Sequence, residues 1–331
     1  MNRLAVLVVS VGLAPLAVAQ SPTVLSAPAP AEEVRFAGPR VIACSPLLAE
    51  MVFQMGLGDC VVAAPKFWTP PPGVELPVVA DRAAVGSEAI VTLRPDILLV
   101  QQNVHDFDPV RELLPHVKVE FFRIETLDDY EQAMTRTAEL IGAWSAARFR
   151  DALDSVRSRV SGKTKPRVLF GSFYNGTFAA SAAGTFHDSM IDVAGGINAV
   201  AADGYKGWHI KLSNEGVMSL APDVIVCQIA PGGEEEARSF FAAMSDVPAV
   251  RDGRVFFVTD SRWNVISMHT TQQTAALAEM LHGHLEGERI VATVGGSAAG
   301  PMLSLAIASM VLLAGGAVLT FLGRRRREVT R

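Results

Sequence analysis

Hydrophobic and polar positions follow the same pattern in two distant segments. Residues 87–101 and 214–228 both read Glu-x4-Leu-x-Pro-Asp, then four apolar residues and Gln, and they lie 127 residues apart. A small polar residue followed by Glu suits the start of a helix, and Pro-Asp suits its end. A wholly apolar run is typical of a strand in a parallel sheet covered on both faces. The pattern therefore predicts two copies of one helix–strand unit.

Further strand and helix patterns surround each copy. The sequence predicts strands at 40–44, 117–122, 167–170 and 254–259, and helices at 47–55 and 184–196. Alternating strands and helices indicate an α/β fold. We predict two Rossmann-like lobes, an N-terminal one over 39–125 and a C-terminal one over 162–289.

The segment between the lobes, 126–161, has almost no Gly or Pro, and its apolar residues recur at helical spacing. Thr126, followed by Asp128 and Asp129, is a suitable N-terminal cap. At 1.5 Å per residue the helix would be roughly 50 Å long. This pattern predicts two lobes joined by one long α-helix.

The two ends of the chain raise its mean hydropathy to +0.29. Residues 1–19 have a basic start, an apolar run and an Ala-x-Ala site, as secretory signal peptides do, and 20–38 is an Ala/Pro-rich flexible leader. After a linker at 290–300, residues 301–322 are long and apolar enough to span a bilayer, and the basic tail 323–331 is expected in the cytoplasm. A sorting signal that is cut after export would have a similar composition.

The formal net charge of −5 hides an uneven distribution. Between the signal and the tail, residues 20–323 carry 23 basic and 33 acidic residues. Nucleic-acid binding needs a basic patch, so we set it aside. Cys44, Cys60 and Cys227 are an odd number for an exported chain, and a Cys44–Cys60 disulfide is possible but not required.

Five stretches in this order resemble the periplasmic-binding proteins that capture iron–siderophores, haem and vitamin B12 for ABC importers. They are RVIACSPLLAEMVFQMGLGDCVVA (40–63), SEAIVTLRPDILLV (87–100), GTFHDSMIDVAGGINAV (184–200), LSNEGVMSLAPDVIVC (212–227) and VPAVRDGRVFFVTD (247–260). The resemblance covers about 38 to 285. It implies that a ligand binds between the lobes and that one Glu per lobe, Glu88 and Glu215, pairs with arginines of the permease. Alternatively, each Glu only stabilises its helix start.

Candidate ligand residues lie in loops at the carboxyl ends of strands, where open α/β sheets bind ligands. Aromatic side chains there suit a large, partly planar ligand such as a corrin, a porphyrin or a catecholate chelate. The predicted ligand-binding residues are Ser45, Trp68, Arg82, Gln102, His105, Tyr174, Trp208, His209 and Trp263. Where B12 binders of the resembled family tend to have a first-lobe Trp, this chain has Arg82 or a neighbour, which favours an acidic ligand. Lys66 and Arg262 could also neutralise such a ligand.

Other readings of these loops are bare-metal binding and catalysis. His105, His187, His209 and His269 are spread over both lobes without close ligand spacing, although His209 or Tyr174 could be an axial ligand to haem iron. The sequence has no G-x-S-x-G elbow and no recognisable Ser/His/Asp set, so no enzyme is predicted.

The sequence predicts an exported protein with a single-pass anchor that captures an iron or cobalt chelate and delivers it to an ABC importer, with no cofactor of its own. Neither nucleic acid nor a resident metal is expected. The alternatives are an anchored ligand sensor or surface protein that reuses the fold, or a Zn/Mn-binding protein.

Overall fold

The computed structural model describes residues 38–80, 86–101, 107–142, 146–230 and 232–283. All of them belong to one compact unit. The predicted signal peptide, most of the leader, the linker, the membrane span and the basic tail lie outside the described residues. Within the described ranges, no helix is long and apolar enough to cross a membrane.

The first lobe is a doubly wound α/β unit. Its elements are β1 Val41–Ala43, α1 Pro46–Gln54, a 3-10 turn at Gly58–Cys60, β2 Val61–Pro65, β3 Val78–Ala80, α2 Ser87–Leu93, β4 Ile97–Gln101, α3 Asp108–Leu113 and β5 Lys118–Phe122. The strands are parallel, in the order β3-β2-β1-β4-β5. The order reverses between β1 and β4, which is the point where such sheets bind ligands.

The second lobe has the same parallel centre with an added hairpin. Its elements are β6 Arg167–Tyr174, β7 Thr177–Ala180, α6 Phe186–Val193, β8 Ile197–Asn198, α7 Ala199–Ala202, β9 Ile210–Leu212, α8 Asn214–Leu220, β10 Val224–Ile229, α9 Glu234–Ala242, α10 Pro248–Arg251, β11 Val255–Val258, a 3-10 turn at Ser261–Asn264 and α11 Thr270–His282. Strands β6, β10 and β11 are parallel, β7 is antiparallel to β6 and β9, and β8 pairs with the start of β6.

The sequence repeat is also a structural repeat. Arg40 directly precedes β1 and Arg167 is the first residue of the equivalent strand β6. Each guanidinium donates to the last carbonyl of the matching helix, Leu93 or Leu220. The backbone N–H of each Arg also donates at 2.8 Å to the Asp of the Pro-Asp turn. The prediction of two copies of one helix–strand unit is therefore confirmed.

The connector between the lobes is two helices, α4 Leu127–Ile141 and α5 Ala147–Val160, so the prediction of one unbroken helix over 126–161 is wrong. The predicted cap is present, because the side chain of Thr126 accepts from the N–H of Asp129 while the Asp129 carboxylate accepts from the N–H of Thr126. Gly142 ends α4 in the left-handed conformation, with φ of 99°. The helical spacing of apolar residues continues past Gly142 and so concealed the break.

One hydrophobic cluster runs through the whole described unit. It contains one face of each sheet, the apolar faces of α4 and α5, and much of α6 and α11. The opposite face of each sheet packs in a cluster of its own. The two faces are covered separately because successive side chains of a strand point to opposite sides of the sheet. Since one face of each sheet packs in the same cluster as α4 and α5, both lobes pack against the connector.

Candidate functional site

In the first lobe, Ser45 follows β1 at the reversal point of the sheet. It is half-buried and acts as the N-cap of α1, because its hydroxyl accepts from the N–H of Leu48 at 3.3 Å. A capping hydroxyl keeps a second acceptor position and its own hydrogen. Ser45 therefore stays a candidate ligand contact.

Trp68 follows β2 and is half-buried. Its indole N–H donates to the Glu50 carboxylate at 3.0 Å, and its ring centroid lies 4.8 Å from that of Phe53. The preceding residue, Phe67, is 51% exposed and has φ of 71°, which is strained for a bulky side chain. Such strain occurs preferentially at ligand-binding and other functional positions. The Lys66 ammonium lies 5.4 Å from the Phe67 ring.

Three further first-lobe candidates lie outside the described residues. Arg82 comes shortly after β3, while Gln102 and His105 come directly after β4. They stay predictions.

In the second lobe, five side chains form an aromatic cluster that the sequence did not reveal. His187 stacks on Phe170 at 4.1 Å between ring centroids and lies 4.1 Å from Phe186 and 5.6 Å from Trp208. Trp208 contacts Phe186 at 5.2 Å, and Trp263 stacks on Phe170 at 6.0 Å. Trp208 is 36% exposed, whereas Trp263 is 4% exposed. Trp263 therefore presents little surface, and its role as a ligand contact stays a prediction.

His187 is the buried centre of this second-lobe aromatic cluster. Its Nε2 lies 2.7 Å from the carbonyl oxygen of Trp263, and its Nδ1 lies 2.9 Å from the Ser181 hydroxyl. Because the carbonyl can only accept, we assign the hydrogen to Nε2 and infer that Ser181 donates to Nδ1. Burial lowers the pKa of His187 to about 4, against the opposing effect of the Trp263 carbonyl. The imidazole is thus neutral at physiological pH.

His209 and Tyr174 lie at the rim of the second lobe. His209 is half-buried, its ring is 6.5 Å from that of Trp208, and its φ is 58°. Burial lowers its pKa, which favours the neutral imidazole that can ligate a metal. Tyr174 ends β6 beside the β6–β7 turn and is 44% exposed.

Polar groups near the carboxyl ends of β6 and β10 are already partnered. The Ser172 hydroxyl donates to Asn264, and the Asn264 amide donates to Gln228 at 2.8 Å. Arg262 forms a two-point ion pair with Asp260, which raises the pKa of Arg262 and reduces the charge available to an anionic ligand. The repeated Gln at the end of each apolar run was the one sequence signal for the Gln228 network.

The three cysteines and the other side chains in the described ranges that could bind a metal ion do not form a metal site. Cys44, Cys60 and Cys227 are free thiols, so the possible Cys44–Cys60 disulfide is not formed in this structure. Burial raises the pKa of both Cys44 and Cys227 to about 12. Among the described residues, no group of three or more His, Cys, Asp or Glu side chains could hold a metal ion.

Glu88 and Glu215 occupy equivalent places in the two lobes. Each lies in the first turn of its helix, α2 or α8, and each is exposed. Neither forms an ion pair with another residue in the described ranges. Hydrogen bonds from its own N–H and from Ser213 lower the pKa of Glu215. Both carboxylates are thus available to a cationic partner.

Comparison with known families identifies the class of protein. The family described as "Periplasmic binding protein" matches residues 41–261, which include most of both lobes and the connector. This chain therefore belongs to the periplasmic binding protein family, a family of solute-binding transport components. The resemblance noted in the sequence and the α/β fold with parallel sheets are both confirmed.

Relatives and structural neighbours agree on the fold. A cobalamin-binding protein of Halobacterium salinarum is 26% identical over 263 residues, covering 73% of this chain and 69% of its own. The periplasmic vitamin B12 binding protein of Vibrio cholerae superimposes with a TM-score of 0.59 at 20% identity, covering 75% of this chain and 99% of that one. The periplasmic heme-binding protein of Roseiflexus sp. RS-1 gives a TM-score of 0.57 at 23% identity, covering 74% and 98%.

Proposed function

We propose that this protein captures a metal chelate of the corrinoid, haem or ferric-siderophore type outside the cytoplasm and delivers it to an ABC importer. The observation that carries the proposal is the second-lobe aromatic cluster, in which the part-exposed Trp208 rests on Phe186 and His187. A rigid aromatic surface with few polar groups suits a large planar ligand. Relatives named for cobalamin, vitamin B12 and heme support this ligand class.

The test is a titration of the purified full-length protein with haemin, cyanocobalamin and a ferric tris-catecholate. We expect saturable binding of one of these probes, with a change in its visible spectrum and quenching of tryptophan emission. Failure of all three probes to bind saturably would overturn the proposal and favour the alternative hypothesis of an anchored sensor or surface protein. Saturable binding of Zn²⁺ or Mn²⁺ instead would favour the bare-metal alternative.

Trp208 tests the role of the aromatic cluster. Trp208→Ala should weaken the probe that binds by about 1–3 kcal/mol, as loss of a well-packed aromatic anchor does, whereas Trp208→Phe should retain part of the affinity. Phe121→Ala is the matched control, because Phe121 is comparably exposed on the first-lobe edge strand β5. Equal affinity of Trp208→Ala and Phe121→Ala would contradict the assignment.

Haem would require an axial ligand, for which we propose His209. Its neutral, half-buried imidazole beside Trp208 suits this role. If haemin is the probe that binds, His209→Ala should shift the Soret band, while Tyr174→Phe tests the other predicted ligand. A Soret band unchanged by both variants would exclude these two residues as axial ligands.

We propose that Glu88 and Glu215 dock the protein on its permease. Their equivalent positions on two exposed helix starts suit one cationic contact per lobe. Reversing both charges, Glu88→Lys with Glu215→Lys, should abolish uptake and leave probe affinity unchanged. The control pair is Glu112→Lys with Glu235→Lys, because these are also exposed, one in each lobe. Loss of probe affinity in the first pair would contradict a docking role.

The predicted anchor at 301–322 is part of the same proposal. A tethered protein stays close to its permease, which raises its effective concentration there. We expect the full-length protein to stay in the membrane pellet after carbonate extraction, and its mature mass to include residues 301–331. A mature mass that lacks these residues would indicate a processed sorting signal.

A further inference from the structure

A chain of hydrogen bonds crosses from the first lobe to the second. The Trp68 indole N–H donates to Glu50 Oε2 at 3.0 Å, and the Gln54 amide donates to Glu50 Oε1 at 2.8 Å. The backbone N–H of Met268 donates to Gln54 Oε1 at 2.9 Å, across 214 residues of sequence. Glu50 and Gln54 are one turn apart on α1, so their side chains share one face. The three bonds join a candidate ligand residue to the backbone of the other lobe.

The two partners of Gln54 in this chain of hydrogen bonds fix the orientation of its side-chain amide. The Glu50 carboxylate can only accept a hydrogen bond and the Met268 N–H can only donate one. The amide nitrogen of Gln54 must therefore face Glu50, and its oxygen must face Met268. Glutamine satisfies both partners at once. Methionine has nearly the same length but supplies neither a strong donor nor a strong acceptor.

The surroundings of the chain exclude much of the solvent. Tyr130 of α4 is fully buried, and this burial, with a smaller contribution from the Glu50 carboxylate, raises the pKa of Tyr130. Trp68 packs on the ring of Phe53. Hydrogen bonds in such surroundings are stronger than those exposed to water.

The chain also reaches the second-lobe aromatic cluster. Met268 and Trp263 lie in one segment between β11 and α11. His187 holds the Trp263 carbonyl at one end of this segment, and Gln54 holds the Met268 N–H at the other. Trp68 and the second-lobe aromatic cluster are thus both connected by hydrogen bonds to the same short stretch of backbone.

We propose that Glu50 and Gln54 are positioning residues that fix the Trp68 indole and couple it to the second-lobe segment 261–269. A ligand that moves Trp68 would then move the loop that supports the opposite aromatic cluster, and the reverse holds equally. The ligand role of Trp68 rests on the proposed function, whereas the coupling itself can be tested without any ligand.

The test uses the ligand-free, full-length protein and two readouts. Backbone hydrogen exchange reports on the Met268 amide, and ¹⁹F resonances of 5-fluorotryptophan-labelled protein report on Trp68, assigned with Trp68→Phe. Gln54→Met should speed exchange at Met268 by about tenfold and shift the Trp68 resonance. Trp68→Phe should also speed exchange at Met268, to which the indole is joined through Glu50 and Gln54.

Gln132→Met is the matched control, because Gln132 is an exposed glutamine on α4. It should change neither readout. Unchanged Met268 exchange in Trp68→Phe would overturn the coupling, even if Gln54→Met has its local effect. If the coupling is observed but no chelate binds, the proposed function fails while this inference stands.

Discussion

The two lobes build different surfaces on the same strand frame. Ala43 in β1 and Phe170 in β6 are 127 residues apart, and their cross-strand partners, Leu99 and Val226, are 127 residues apart as well. Both Ala43 and Phe170 face the shared hydrophobic cluster. The second lobe thus has a large ring where the first has a methyl group, and this ring carries His187 and Trp263.

The difference continues just beyond these positions. After Ala43 the first lobe turns at once into α1 through the Ser45 cap. After Phe170 the strand continues to Tyr174 and pairs with β7. Gly171 permits this pairing, because a Cβ there would lie 2.4 Å from the Ala179 carbonyl oxygen. A repeated frame can therefore support a helix-cap site in one lobe and an aromatic site in the other.

Among the variants that test this difference between the lobes, Phe170→Ala should cause the largest loss of unfolding free energy. Removing a fully buried Phe costs about 3–5 kcal/mol of unfolding free energy, and here it also removes the support of His187. Urea unfolding measures the loss, with the part-exposed Phe121→Ala as control, for which we expect a loss of only about 1 kcal/mol because Phe121 contacts Phe107 and Arg111. Similar losses in the two variants would show that the cluster is not a structural centre of the second lobe.

Acidic pH should destabilise the fold through His187. Above pH 6.5 the residue is neutral in both states, so its contribution is fully present. As the pH falls below 6.5, the unfolded chain takes up a proton that the folded chain accepts only near pH 4. The unfolding free energy should fall by about 3 kcal/mol over this interval.

Urea unfolding between pH 7 and 4 measures this dependence, and His187→Gln should remove most of it. A slope that persists unchanged in His187→Gln would place the proton uptake elsewhere, for example at His209 or His282, whose pKa values are also lowered by burial.

The hydrogen bonds from the backbone N–H of Arg40 to Asp96 and of Arg167 to Asp223 should contribute differently to stability. Asp223 is half-buried and Asp96 is exposed, although each accepts the equivalent backbone N–H at 2.8 Å. Asp223→Ala should cost about 1–2 kcal/mol and Asp96→Ala less than about 1, because water replaces an exposed partner more easily. Urea unfolding of both variants checks the order. A larger loss for Asp96→Ala would contradict the argument from burial.

Gly142→Ala should have a modest effect. Alanine is strained at a φ of 99°, so we expect a loss of about 1 kcal/mol in thermal or urea unfolding. Thr135→Ala is the control within α4, where alanine favours the helix and should be neutral or stabilising. If Gly142→Ala were stabilising, the connector would be one continuous helix in solution.

Local rules predicted much of the fold. The apolar runs, the Pro-Asp turns and the Thr126 cap each depend on residues close in sequence, and the structure contains all of them. The break at Gly142 was missed because helical periodicity carries no information on the left-handed turn that one glycine permits. The polar network at Gln228 was missed because its partners are 36 and 56 residues away.

The candidate site was predicted only in part. Trp208 and His209 lie in the predicted loop and beside each other, because they are sequence neighbours at the end of a turn. Phe170 and Phe186 gave no signal, and His187 was considered only as a metal ligand, since a strand residue and two helix residues look like ordinary core until the fold brings them together. Trp263 was predicted to contact the ligand and is 4% exposed, so that role stays a prediction.

The sequence alone determined the repeated helix–strand unit, the two lobes and the family, because these depend on local periodicity and on short motifs in a fixed order. Tertiary structure decided which aromatic side chains meet, which histidine is buried and neutral, and which residues join the lobes. Those properties depend on contacts between segments as far apart as Gln54 and Met268, whose distance in space no local pattern specifies.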